Sequence, residues 1–293
     1  MSTRWEIVLP PQGGRNEEFL RAAAEQVSEE IQHWDNRLSL FKPDSFISYI
    51  NKVAHAKPVQ VNEPEWSLFA VAQKVWKESD GAFDITVAPL MKRLGLHKAH
   101  SSAGEEAVWG MQFVELDAES RTIRFLREGL AIDLGALAKG FALDQVRAVL
   151  GELKIEHAFI HGGTSSSLAM GTRPDGRLWR VGLGTGECDP VIELSNQSLS
   201  VSKRKARPGE LAGETSRSHI LDPRAADFQD SSDLDVVAAV HESATLAEAW
   251  STACLVNGSS RLPLDISLFA QDHSGSWRTR RLNQMNLALS EQT

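Results

Sequence analysis

Cysteine is scarce in this 293-residue chain: Cys188 and Cys254 are the only two, and neither belongs to a CxxC pair. That count excludes a disulfide framework and a zinc ribbon, and reads both as small core residues in a reducing compartment. Long apolar runs are also missing, since none approaches the roughly 20 residues that a membrane-spanning helix needs. The opening residues Met1-Ser2-Thr3-Arg4-Trp5-Glu6 lack the charged-then-apolar order of a signal peptide, so the sequence reads as cytoplasmic. Positive charge is not in surplus: 31 Lys and Arg face 39 Asp and Glu, for a net charge of −8. Nucleic acid and anionic membrane both need a basic footprint, so neither is expected as the main partner. The sequence shows no internal repeat, and no GxxxxGK[ST] phosphate loop.

What remains is ordinary globular material, 42% apolar and 24% charged, long enough to hide a large core. Residues 5–9 read as a short strand. Asn16 is suited to cap a helix running to about Asn36, where Phe19, Ala22, Ala23, Val27, Ile31 and Trp34 recur at helical spacing. A second, short helix starts after Lys42-Pro43-Asp44-Ser45. A third starts at Asn62-Glu63-Pro64-Glu65, with proline and acids in the first turn, and stops before Asp80-Gly81. A surface loop is expected over 97–108, and strands over 113–116 and 122–125. Residues 131–135 are expected to lead into a helix over 136–150. Strands follow over 157–160, 179–183, 191–194 and 236–240, with a helix over 244–255. The basic, non-periodic stretch 203–217 reads as a mobile loop. Strands and helices alternate without regular βαβ spacing, which favours an α+β fold.

Four segments place small residues beside polar ones at the ends of such elements. In Asp80-Gly81-Ala82-Phe83-Asp84-Ile85-Thr86-Val87-Ala88-Pro89-Leu90, Gly81 and Ala82 leave room for a flat ligand and Asp84 can accept from it. In Asp133-Leu134-Gly135-Ala136-Leu137-Ala138-Lys139-Gly140, a helix start offers free N–H groups to phosphate, and Lys139 adds a point charge. His219-Ile220-Leu221-Asp222-Pro223-Arg224 holds a histidine before a rigid turn, a placement suited to a general base. In Ala247-Glu248-Ala249-Trp250-Ser251-Thr252, Glu248 and Thr252 share a helix face and offer two oxygens to a hard cation. Each alone also reads as ordinary capping or surface polarity.

Taken in order, these segments resemble the ApbE family, the FAD:protein FMN transferases. Leu38-Ser39-Leu40-Phe41-Lys42-Pro43-Asp44-Ser45 with Asn51, and Gly162-Gly163, belong to the same ordered set. The similarity runs from the N-terminus to the helix near Gly258. It implies an ApbE-like, T-fold-like α+β architecture: a single large domain over 1–293 with mixed or antiparallel sheets flanked by helices. It also implies Mg²⁺-dependent transfer of the FMN half of FAD to a Ser or Thr hydroxyl of an acceptor flavoprotein, with AMP released. By the same resemblance Phe41 lies against the flavin, and Met1 matches the family's N-terminal Met. Ala82, Phe83, Asp84, Asp133 and Leu221 hold FAD, and Lys139 contacts its phosphate or adenosine. The Ala136 carbonyl, Glu248 and Thr252 ligate magnesium, and His219 deprotonates the acceptor.

The sequence departs from the family pattern at three points. Glu248 stands where the family usually has Asp. Val201-Ser202-Lys203-Arg204 replaces a Thr-Ser-Gly-Asp-Tyr segment, and Ala225-Ala226 replaces a Thr-Gly pair. Two other activities therefore stay open at this level. One is FAD binding without transfer; the other is a magnesium-dependent FAD pyrophosphatase that yields FMN and AMP.

Overall fold

The computed structural model describes residues 3–95, 107–184, 189–204, 220–225, 232–258 and 261–280. Strand β1 (Trp5–Val8) is followed by helices α1 (Glu17–Leu38) and α2 (Phe46–Val53). The short β2 (Val59–Gln60) and helices α3 (Glu63–Glu78) and α4 (Ala88–Arg93) come next. Strands β3 (Val114–Asp117) and β4 (Thr122–Phe125) precede α5 (Ala138–Glu152), β5 (Ala158–Gly162) and β6 (Ser166–Met170). Then come β7 (Trp179–Gly182), β8 (Val191–Leu194), β9 (Gln197–Lys203) and β10 (Leu234–His241). Helix α6 (Ala244–Asn257) and strands β11 (Ser267–Asp272) and β12 (Trp277–Arg280) follow. The α+β expectation holds.

One seven-stranded sheet, in the order β1-β5-β6-β9-β10-β11-β12, organises the molecule, and all its pairings are antiparallel. Helix α6 lies on β9 and β10, α5 packs between α1 and α6, and α3 packs on α6. The β7–β8 hairpin covers the other face, where Trp179, Ile192 and Leu194 meet Leu199, Ala238 and Phe269. Both faces of β6 are thus covered, and all five of its residues are buried. A separate three-stranded sheet, β2-β4-β3, supplies Val59, Ile123 and Phe125 to the largest core cluster, together with α2 and α3.

Local chemistry explains the helix starts. The Asn16 side chain accepts from the Phe19 N–H, and Ser45 does the same for Ser48, each satisfying a donor the first turn leaves open. Asn62 holds the cap position of α3 without a side-chain capping bond. Helix α6 is buried on nearly every face, so its N-terminal donors cannot turn to water. Asp144 of α5 receives them instead: its carboxylate accepts from the Ala244 and Thr245 N–H groups at 2.7 and 3.0 Å, and from both neighbouring hydroxyls. Cys254, inside α6, is buried, and desolvation pushes its thiol up to about 12.

Several boundaries differ from the sequence reading. The helix expected over 136–150 begins at Ala138; Ala136 sits in the preceding turn, closed by the Leu137 and Ala138 N–H groups on the Leu134 carbonyl. The segment after Gly81 turns into α4, whose first turn contains Pro89 and which the sequence reading had not assigned. Lys203 ends β9 rather than opening a loop, and Arg204 is buried. Its guanidinium donates to the carbonyls of Leu234 (2.8 Å) and Leu255 (2.7 Å). The remainder of the expected loop, 205–217, lies outside the described residues, as do 97–106. Strands β2, β6, β9, β11 and β12 had no place in the sequence reading.

Removing the Asp144 carboxylate in Asp144→Ala should cost about 2–4 kcal/mol, because several buried donors lose a charged acceptor together. Urea denaturation of variant and wild type measures this, and an unchanged midpoint would contradict the role assigned to Asp144.

Candidate active site

A cavity of about 610 Å³ opens where the loops after α3, before α5 and between β5 and β6 meet β9 and α6. Ala82, Phe83, Asp84, Asp133, Ala136, Lys139, Leu221, Glu248 and Thr252 all line it. These are residues the sequence reading had picked from four separate segments. Phe41, by contrast, is 69% exposed and does not line the cavity. Met1 and His219 lie outside the described residues.

The wall containing Asp84 is shaped by the end of α3. Asp80 and Gly81 take positive φ values of 58° and 78°, a conformation that glycine adopts without strain. The chain thus reverses, and the Ser79 hydroxyl receives the Phe83 N–H. Asp84 then accepts from the Thr86 N–H and hydroxyl at 2.7 and 2.6 Å, and from the Met111 N–H at 3.0 Å. Burial pushes its carboxyl above the ordinary 3.8, outweighing those three hydrogen bonds, which act the other way.

Asp133 is fixed by its neighbours on both sides. The Asn51 side chain brackets the preceding residue, donating to the Ile132 carbonyl and accepting from the Ile132 N–H (3.0 and 2.8 Å). The Asp133 N–H donates to the Ile85 carbonyl (2.7 Å), and its carboxylate accepts from the Gly135 N–H (2.8 Å). Two of the sequence segments are joined directly by that backbone bond.

Glu248 is buried at the α5–α6 contact. Its carboxylate pairs with the Lys139 ammonium, accepts from the Gly140 N–H and lies 3.4 Å from the Ser166 hydroxyl. A side chain at Gly140 would collide with the Ala244 carbonyl and with Glu248 itself, so the two helices need glycine there. One turn on from Glu248, the Thr252 hydroxyl meets that of Ser202 (3.2 Å). Ser202 in turn meets Ser251 (2.8 Å), and Ser251 donates to the Glu248 carbonyl (3.0 Å).

Ser165 and Ser200 also line the cavity and had not been singled out, and Ser202 and Lys203, named in the sequence as part of a departure from the family pattern, line it as well. A signal for them existed: Ser198, Ser200 and Ser202 alternate with Leu199 and Val201, the period-2 pattern of a strand with one polar face. Among the described residues no three His, Cys, Asp or Glu side chains gather as a metal cage. The three positions read from the sequence as cation ligands, Glu248, Thr252 and the Ala136 carbonyl, are a carboxylate, a hydroxyl and a backbone carbonyl, all on cavity-lining residues. That set suits a hard cation that keeps several waters or phosphate oxygens in its shell.

Comparison with known proteins places the chain in a family. The model of the ApbE family matches residues 1–265. A Klebsiella pneumoniae FAD:protein FMN transferase is 28% identical over 244 residues, covering 79% of this chain and 74% of the relative. A Treponema pallidum protein of the same name is 28% identical over 263 residues, covering 82% and 72%. Among solved structures, flavin transferase ApbE from Vibrio cholerae superposes with a TM-score of 0.78 at 20% identity, covering 96% of this chain and 94% of that one. An ApbE protein from Thermotoga maritima gives 0.76 at 23%, covering 92% and 91%.

Two measurements test the site as described. Gly140→Ala should destabilise the protein by about 1–3 kcal/mol through overpacking between α5 and α6, read as a lowered denaturation midpoint. For Asp84, the native chain keeps a proton that the unfolded chain has already released. Its contribution is therefore full below about pH 4 and is lost as pH rises through the raised native value. Asp84→Asn should flatten the decline of stability just above the ordinary carboxylate range; identical pH profiles for variant and wild type would count against the burial argument.

Proposed function

Because the chain belongs to the ApbE family, we propose that it is a transferase that moves the FMN half of FAD onto a Ser or Thr hydroxyl of an acceptor protein and releases AMP. The observation that carries this reading is the convergence of Asp84, Asp133, Lys139, Glu248 and Thr252 on one cavity. The curated relatives bearing the name FAD:protein FMN transferase support it.

The residues divide the work physically. The half-buried Asp84 and Asp133 offer acceptors for the N–H and hydroxyl groups of a dinucleotide. Ala82 and Phe83 give an apolar wall, as flat rings require. Lys139, at the start of α5, supplies positive charge for the phosphates, as does the helix terminus behind it. Glu248, Thr252 and the Ala136 carbonyl would hold magnesium, which supplies screening of the negative charge on the pyrophosphate. In the reaction the acceptor oxygen bonds the FMN phosphorus, and the bond from that phosphorus to the bridging oxygen breaks. The electron pair leaves with AMP, and the acceptor's proton passes to His219, a role that rests on the family resemblance.

The test is mass spectrometry after incubating the purified chain with FAD, MgCl₂ and a recombinant acceptor domain. An FMN phosphoester on a Ser or Thr, formed one-for-one with AMP, is expected. Both products should fall at least about a hundredfold in His219→Ala and Glu248→Ala. Free FMN and AMP without acceptor would identify a pyrophosphatase instead. FAD that binds and stays intact would identify a carrier.

A further inference from the structure

Beside the cavity lies a second hollow of about 590 Å³, and Asp84 and Pro223 line both. The two spaces therefore share part of their lining. The floor of the outer hollow carries two half-buried indoles, Trp76 and Trp109, with Lys77, Asp80, Gln112 and Arg224 exposed around them. We propose that this hollow seats the polypeptide segment flanking the acceptor hydroxyl, so that the Ser or Thr reaches past Asp84 and Pro223 into the cavity. This rests on the transferase reading above.

Three observations favour a peptide over a second anionic ligand. First, the charges of the hollow are largely spoken for. The Arg224 guanidinium is held by the Asp222 carboxylate at 2.9 and 2.7 Å and by Asn257 at 3.0 Å, and Asp80 pairs with Arg261 at 3.2 Å. A phosphate site needs cations in excess, whereas a neutral peptide needs amide-sized donors and acceptors beside apolar surface. Second, indoles at the centre with a polar rim are the composition that anchors protein segments. Third, the surface is already formed. The Trp109 indole N–H donates to the Pro223 carbonyl (2.9 Å), and the Arg93 guanidinium carbon lies over its ring, 5.4 Å from the centroid. Gly81 holds the turn beneath it at a φ of 78°, which fixes the backbone between Trp76 and Arg224. A preformed surface lowers the entropic cost of holding an extended chain.

A protein acceptor also makes such a surface necessary. Its hydroxyl cannot enter the cavity without flanking residues lying on the rim, and this hollow is lined by Pro223, four residues after His219 in sequence.

The experiment uses the full chain and an acceptor domain first shown to take FMN from the Klebsiella pneumoniae transferase. Flavinylation rates are measured against acceptor concentration at saturating FAD, for wild type, Trp76→Leu and Gln112→Trp. The second variant fills the hollow from an exposed position and avoids the core. The expected result is a rise of about tenfold or more in the KM for acceptor. FAD affinity by fluorescence quenching should stay at the wild-type value in both variants, and the thermal midpoint should stay there in Gln112→Trp, since Trp76 also packs against the core. Unchanged acceptor KM in both variants overturns the proposal. A parallel loss of FAD affinity also overturns it, assigning the hollow to the dinucleotide. If the wild type itself leaves that domain unmodified, the transferase reading fails and the docking surface falls with it.

Discussion

Helices α5 and α6 approach so closely at Gly140 that the Ala244 carbonyl and the Glu248 carboxylate fill the space of a side chain. That contact places a carboxylate in the interior, where it must be satisfied on every side. Lys139 and the Gly140 N–H come from one helix and Ser166 from the sheet below. Four residues along α5, Asp144 fastens the beginning of α6 by the same logic. Stripping one partner from such a buried pair typically costs roughly 3–5 kcal/mol. The architecture around the cavity is therefore not separable from its chemistry, since one helix–helix contact serves both.

The sheet beneath shows the same economy of size. Strands β6 and β9 are rich in serine, yet Ser166, Ser167, Ser198 and Ser200 are buried. Small side chains let α6 settle close to the strands, and the hydroxyls bond to one another, as between Ser200 and Ser251 at 3.2 Å. The cavity-lining serines of this floor present neutral hydroxyl oxygens to the cavity.

These strands are also where reading the sequence fell short. Helices α1 and α3 were legible because their apolar residues recur at helical spacing and their boundaries carry Asn, Pro and Gly signals. The turn at Asp80-Gly81 and the segments holding Asp84, Asp133, Glu248 and Thr252 were legible for a related reason: each joins small residues to polar ones at an element's end. Strands β6 and β9 lack the β-branched run that marks a central strand, and only the packing of α6 makes serine suitable there. Arg204 misled for the complementary reason. A lysine and arginine run looks solvated in sequence, whereas here the guanidinium closes the last turn of α6 by taking the Leu255 carbonyl. Phe41, assigned to the flavin by resemblance alone, is exposed and is not among the residues lining the cavity.

The pairing of Lys139 with Glu248 means that the site carries its own counterion. Filling it is thus an exchange and not a simple addition. An anion that recruits the lysine leaves the glutamate in want of another positive neighbour, and a cation that claims the glutamate frees the lysine for an anion. Two guests of opposite charge consequently assist each other's entry, and either guest alone must first break a bond that the host already makes with itself.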